Sequence, residues 1–135
     1  MHLEQQIADF LGGDRFAVVG ASNDRQKYGN KVLRCFQQHG HDVVPVNPRA
    51  TSIEGLDVVS SLEDCQPLPH AISIITPPSV TESIVAQAVA LGIQNVWMQP
   101  GAESSAAVDI CRDSGCNVIY GGPCLLVVLG YRETA

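Results

Sequence analysis

Phe16-Ala17-Val18-Val19 is an unbroken apolar run that stops at Gly20. A strand in which every residue is apolar has to be covered on both faces, and that demand restricts the fold more than any other feature of the chain. Similar runs recur at Asp42 to Val46, closed by Asn47-Pro48, and at Ala71 to Ile75, closed by Thr76-Pro77-Pro78. Asn95 to Met98, closed by Gln99-Pro100-Gly101, and Asn117 to Tyr120 complete the set, and Asp57-Val58-Val59 adds a brief further run. Between them the apolar residues fall at helical spacing. Leu3, Ile7, Phe10 and Leu11 define a first helix over about residues 2–12, stopped by Gly12-Gly13. Val32, Leu33 and Phe36 mark a second, ending near His39-Gly40, and Ser60 with Glu63 suits a single helical turn. Ser79, three residues before Glu82, is the expected N-cap of a third helix, whose apolar face carries Ile84, Val85, Ala88 and Leu91. Glu103 to Asp113 reads as a fourth helix and Pro123 to Leu129 as a short apolar fifth.

Strands alternating with helices predict an α/β fold, a doubly wound parallel sheet of Rossmann-like type. About five strands are expected, in the spatial order 3-2-1-4-5, with residues 57–59 as the third. The 135 residues leave room for one domain, spanning 1–135. In such sheets ligands bind at the carboxyl ends of the strands, where the strand order reverses. The chemistry is therefore expected in the loops after Val19, Val46, Ile75 and Met98.

Charge excludes some partners. Eight basic residues face fourteen acidic ones, a net of −6, so general binding to a nucleic-acid backbone is not expected. No run of 18 apolar residues offers a membrane span, and the N-terminus lacks the pattern of a secretory signal. The five cysteines (Cys35, Cys65, Cys111, Cys116 and Cys124) show no Cys-x-x-Cys spacing. They read as reduced thiols of a cytoplasmic protein. Within this acidic chain, however, Arg25, Lys27, Lys31, Arg34 and Arg49 are opposed between Ala21 and Ala50 only by Asp24 and Asp42. That segment is +3 and the remainder −9, a distribution suited to a small polyanion.

The loops carry the detail. Gly20-Ala21-Ser22, followed by Lys27-Tyr28-Gly29-Asn30 at a helix start, suits backbone binding of phosphate at a helix N-terminus. Ser22 stands where a dinucleotide fingerprint has its second glycine, and Asn47-Pro48-Arg49 replaces the acidic residue that usually holds an NAD ribose. An arginine there favours a phosphorylated ribose, as in NADP or coenzyme A. Thr76-Pro77-Pro78 offers an apolar wall. The four histidines lie outside these loops, and no paired carboxylates, metal-ligand spacing or Gly-x-Ser-x-Gly segment occurs. No catalytic or metal-binding residue is assigned.

Taken together, these segments, with Val46-Asn47-Pro48-Arg49, Val96-Trp97-Met98-Gln99-Pro100-Gly101 and the closing Gly121-Gly122-Pro123-Cys124, resemble the family of small CoA-binding proteins. They are similar also to the CoA-binding domain of the succinyl-CoA synthetase alpha subunit and of ADP-forming acyl-CoA synthetases. The likeness spans about residues 14–130. It implies that Gly20, Ala21 and Ser22 meet the CoA phosphates, with Lys27, Tyr28, Gly29 and Asn30 close by. It implies that Val46, Asn47 and Pro48 border the adenosine, while Arg49 pairs with a phosphate. Thr76, Pro77 and Pro78 would then line the nucleotide or pantetheine path, with Gln99 and Gly101 as further contacts. The synthetases carry a phosphorylated histidine on a second domain and an ATP-grasp part, and the chain ends at Ala135, just past the resembling region. The expectation is a stand-alone CoA or acyl-CoA binder without catalysis, acting as sensor, carrier or regulator. Two other readings stay open: an NAD(P)-binding redox protein, and the CoA-binding subunit of a split synthetase. A protein partner or a second copy of the chain is left open too, as is a redox pairing of Cys124 with a CoA thiol.

Overall fold

The computed structural model describes residues 2–133. Five parallel strands form the sheet: β1 (Arg15–Val19), β2 (Asp42–Val46), β5 (Ala71–Ile74), β6 (Asn95–Met98) and β7 (Asn117–Ile119). They stand in the order β2-β1-β5-β6-β7. The chain therefore reverses at β1, as a doubly wound sheet requires. The run Asp57-Val58-Val59 does not supply the expected outer strand. Asp57 instead ends a two-stranded antiparallel hairpin of β3 (Ser52–Ile53) and β4 (Leu56–Asp57). Only one parallel bridge, Val46 to Val59, continues the sheet beyond β2.

The apolar strand runs divide between two cores. Phe16 and Val18 of β1 face one side and Ala17 and Val19 the other. Period-two alternation thus persists in a strand that looks uniform, because both faces are covered. On the first side lie α1 (Leu3–Leu11), α2 (Tyr28–Gln38) and α5 (Leu125–Leu129), and on the second α3 (Pro78–Ala90) and α4 (Ser105–Asp113). A short 3-10 turn, Leu62–Asp64, joins the second side where the single turn was expected. Among the described residues no helix is long and apolar enough to cross a membrane.

Helix α1 belongs to this sheet. Phe10 is fully buried, 5.2 Å from Trp97 in an edge-on pair and 5.8 Å from Phe16. Gln6 Nε2 donates to the Val118 carbonyl, and Asn117 Nδ2 donates back to the Gln6 carbonyl. The start of α3 differs from expectation. Pro77 holds the N-cap place and Pro78 opens the helix, so Ser79 is already inside the first turn. Pro78 forces the residue before it out of the helical region, and its missing N–H costs nothing at the first helical position. Helix α4 is capped by Ser104, whose Oγ accepts from the Ala107 amide.

Truncating the α1 anchor tests this packing. Phe10→Ala should cost about 3–5 kcal/mol of folding stability. Urea unfolding of the full chain checks it, and an unchanged midpoint would mean that α1 is not docked on the sheet.

Candidate functional site

Three stretches of backbone converge at the carboxyl end of β1. Gly20 has φ +97°, and its amide donates to the Val46 carbonyl. A Cβ on Gly20 would lie 2.1 Å from the Ile75 carbonyl oxygen, and one on Gly29 would lie 2.1 Å from the Gly20 oxygen. The exits of β1 and β5 and the first turn of α2 therefore touch with no side chain between them. The glycines serve this contact first, and it brings the α2 amino terminus to the sheet end.

The loop between β1 and α2 is held by its own side chains. Ser22 Oγ accepts from the Asp24 amide, and Asp24 Oδ1 accepts from the Gln26 amide. Asn47 Nδ2 donates to the Ala21 carbonyl, while Asn47 Oδ1 accepts from the Arg49 amide. The first bond ties the β2 loop to the β1 loop, and the second holds the β2 loop in its own turn. Lys27, at the α2 N-cap, makes no side-chain capping bond, so the helix end is left to a ligand or water.

A cavity of about 640 Å³ opens between these loops. Gly20, Ala21, Ser22, Lys27, Tyr28, Gly29, Val46, Asn47, Pro48, Arg49 and Thr76 all line it, eleven of the sixteen residues expected from sequence. Pro77 and Gly101 instead line a smaller cavity of about 310 Å³, with Tyr28, Ile75, Thr76, Pro100 and Ala102. Pro78 is exposed at the start of α3 and lines neither. Asn30 and Gln99 are fully buried behind the walls. Asn30 Nδ2 donates to the Ser22 carbonyl and to Glu54 Oε2, and its Oδ1 accepts from Arg34 Nε at 2.7 Å. Gln99 Oε1 accepts from Tyr28 Oη and from the Leu125 amide, and Gln99 Nε2 donates to Ser73 Oγ. Both side chains brace the loops rather than face the cavity.

Four further lining residues escaped the sequence reading: Ser60, Ser61, Val80 and Ile84. The serines follow the Val58-Val59 run, and the strand-end rule applied there would have found them. Val80 and Ile84 lie one helical turn apart, and Val80 stays 42% exposed, an apolar residue left uncovered at the cavity mouth.

The positive segment is also divided. Only Lys27 and Arg49 line the cavity, and no carboxylate does. Arg25 pairs with Glu54 at 3.4 Å, and Arg34 is buried against Asn30 and the Arg25 carbonyl. Neither Lys27 nor Arg49 has an ion-pair partner among the described residues. Two unpaired cations therefore share an enclosure with a helix amino terminus, an arrangement that attracts phosphate.

Tyr28 Oη lies 2.6 Å from Cys124 Sγ, and burial followed by this contact pushes the phenol well above its usual range. All five cysteines are free. Burial raises the Cys35 thiol to about 11, with nearby Cys124 adding to the effect. None of the histidines lines the cavity. His41 packs its ring on Phe16 and Phe36, His39 Nε2 meets the Gly130 carbonyl, and His70 Nε2 meets the Asp9 carbonyl.

Fold and cavity together define a doubly wound α/β domain with an anion-attracting crevice at its switch point. The CoA binding domain family matches residues 14–130, and the chain belongs to that family. "Uncharacterized protein YneT" of Bacillus subtilis is 24% identical over 105 residues, 78% of each chain. A conserved hypothetical protein from Pyrococcus furiosus has the same fold, with a TM-score of 0.81 and 34% identity. That match covers 86% of this chain and 99% of the other. The dinucleotide-forming acetyl-coenzyme A synthetase 1 of Ca. Korarchaeum cryptofilum aligns with a TM-score of 0.71 at 24% identity. It covers 81% of this chain but only 25% of the synthetase, and the likeness is one of fold.

The backbone convergence can be tested directly. Gly29→Ala drives a Cβ into the Gly20 carbonyl, which is main chain and cannot swing aside. It should lower stability by about 1–3 kcal/mol, read from a denaturant midpoint. Unchanged stability would refute the contact.

Proposed function

We propose that the chain is a stand-alone CoA or acyl-CoA binding protein without catalytic machinery of its own, serving as a sensor, carrier or regulatory subunit in the cytoplasm. The observation that carries this reading is the pair of unpaired cations, Lys27 and Arg49, beside the uncapped α2 terminus in a cavity free of carboxylates. Family membership supports coenzyme A as the ligand class. In this reading the pyrophosphate lies against Gly20-Ala21-Ser22 and the α2 amides. Val46, Asn47 and Pro48 border the adenosine, and Arg49 meets the 3′-phosphate. Ser60 and Ser61 line the same cavity, just after the Val59 bridge to Val46.

An NADP-type ligand would use the same two cations, so it belongs in the test. Isothermal titration with CoA, dephospho-CoA and NADP separates the readings. CoA is expected to bind, and NADP binding without CoA binding would reject the proposal. A charge-assisted contact to the 3′-phosphate contributes about 1.5–3 kcal/mol. Arg49→Ala should therefore weaken CoA at least tenfold while changing dephospho-CoA little. Equal losses for both ligands would remove Arg49 from that role.

A further inference from the structure

The smaller cavity is continuous in its lining with the larger one, since Tyr28, Ile75 and Thr76 border both. Its far wall is Pro100, Gly101 and Ala102, from the loop after β6, while Arg49 stands beyond β2. Adjacent strands are about 4.8 Å apart, so the three spacings from β2 to β6 separate the two ends by roughly 14 Å. The chamber thus lies at the end of the crevice remote from the arginine, with the α2 terminus between them.

Its polar side chains and most of its amides are already used. Tyr28 Oη is held by Gln99 and Cys124, and Thr76 Oγ1 by Thr81 Oγ1 at 2.8 Å. The Ile75 amide donates to Val19, the Ala102 amide to Gln99, and the Gly101 amide to Glu103 Oε1 at 2.8 Å. Pro77 and Pro100 have no amide to offer. What remains for a ligand is mostly ring, methyl and methylene surface. Glu103 also accepts from the Gly121 amide through Oε2, which fixes its carboxylate beside the chamber wall. A carboxylate held there opposes a second negative charge, and no cation lines the chamber to offset it.

We propose that this chamber receives the acyl group of a short-chain, uncharged acyl-CoA thioester, so that the protein distinguishes such thioesters from free CoA and from dicarboxylic acyl-CoAs. The inference rests on the CoA reading of the larger cavity. The phosphates anchor at Lys27, Arg49 and the α2 terminus, and the pantetheine arm crosses the β5 exit past Thr76. The acyl chain then enters between Tyr28, Pro77 and Ala102. A free thiol leaves that apolar surface in water; a butyryl group covers it.

Titration of the full chain with CoA, acetyl-CoA, butyryl-CoA and succinyl-CoA tests the assignment. Each methylene buried should tighten binding roughly fourfold. Butyryl-CoA is thus expected to bind at least tenfold more tightly than CoA, and succinyl-CoA more weakly than butyryl-CoA. Pro100→Phe adds bulk at the exposed far wall of the chamber and should bring the butyryl-to-CoA affinity ratio down toward one. Glu103→Gln should narrow the gap between butyryl-CoA and succinyl-CoA; the amide keeps only one of the two bonds accepted from Gly101 and Gly121, so an unchanged CoA affinity is the control that the loop still stands. CoA binding with a flat acyl series overturns the chamber while leaving the CoA reading standing. No binding by any of the four overturns the CoA reading, and this inference with it.

Discussion

The contact between the Gly20 carbonyl and the α2 turn at Gly29 governs what the rest of the molecule can do. Two glycines without side chains allow the exits of β1 and β5 and the start of α2 to touch through main chain alone. The cavity owes its position to that contact, because it points the amino terminus of an eleven-residue helix at the sheet end. A side chain at Gly29 would lift α2 off the sheet end, and one at Gly20 would collide with the Ile75 carbonyl at the β5 exit. The dipole would then face solvent at a distance from the β2 loop, and Lys27 would part from Arg49. Packing at the switch point and charge at the site are thus one constraint seen at two scales.

Around that contact, the polar residues fall into two groups by what they have been given to bond. Asn30, Asn47 and Gln99 have their amide groups engaged by carbonyls, amides and neighbouring side chains. Unpaired inside the protein they would be costly, and paired they lock the loops in place. Lys27 and Arg49 stand at the cavity wall with no ion-pair partner among the described residues. A rigid rim with two free cations needs little reorganisation when an anion arrives, which is where binding free energy is otherwise lost.

The strands and helices were legible because hydrophobic period and chain punctuation act locally. Val18-Val19-Gly20 and Val46-Asn47-Pro48 announce strand ends without reference to the rest of the chain. The loops that meet at the crevice followed from the doubly wound topology. Which side chains face the cavity was not legible. Asn30 and Gln99 carry groups that suit a ligand as well as a brace, and only the positions of Ser22, Glu54 and Tyr28 decide between them. The charge count failed in the same way: Arg25 and Arg34 are near Lys27 in sequence, yet the β3–β4 hairpin supplies Glu54, which turns Arg25 away. Ser79 lost the N-cap place to a pair of prolines whose fixed backbone outweighs a single side-chain bond.

The closing segment Gly121-Gly122-Pro123-Cys124, whose turn resembles the one that closes such domains, ties the end of the chain to the site. Gly121 and Gly122, both with positive φ, turn the chain back from β7 toward β6. Trp97 Nε1 then donates to the Pro123 carbonyl, and the Leu125 amide donates to Gln99 Oε1. This seats α5 against α2 and sets Cys124 Sγ against the Tyr28 hydroxyl. Cys124 lines neither cavity that Tyr28 borders. Its thiol, with Gln99, contacts the hydroxyl of the aromatic ring shared by the larger cavity and its smaller neighbour. Tyr28 thus joins the last helix to the crevice through one side chain, with Ile75 and Thr76 completing the lining that the two spaces share.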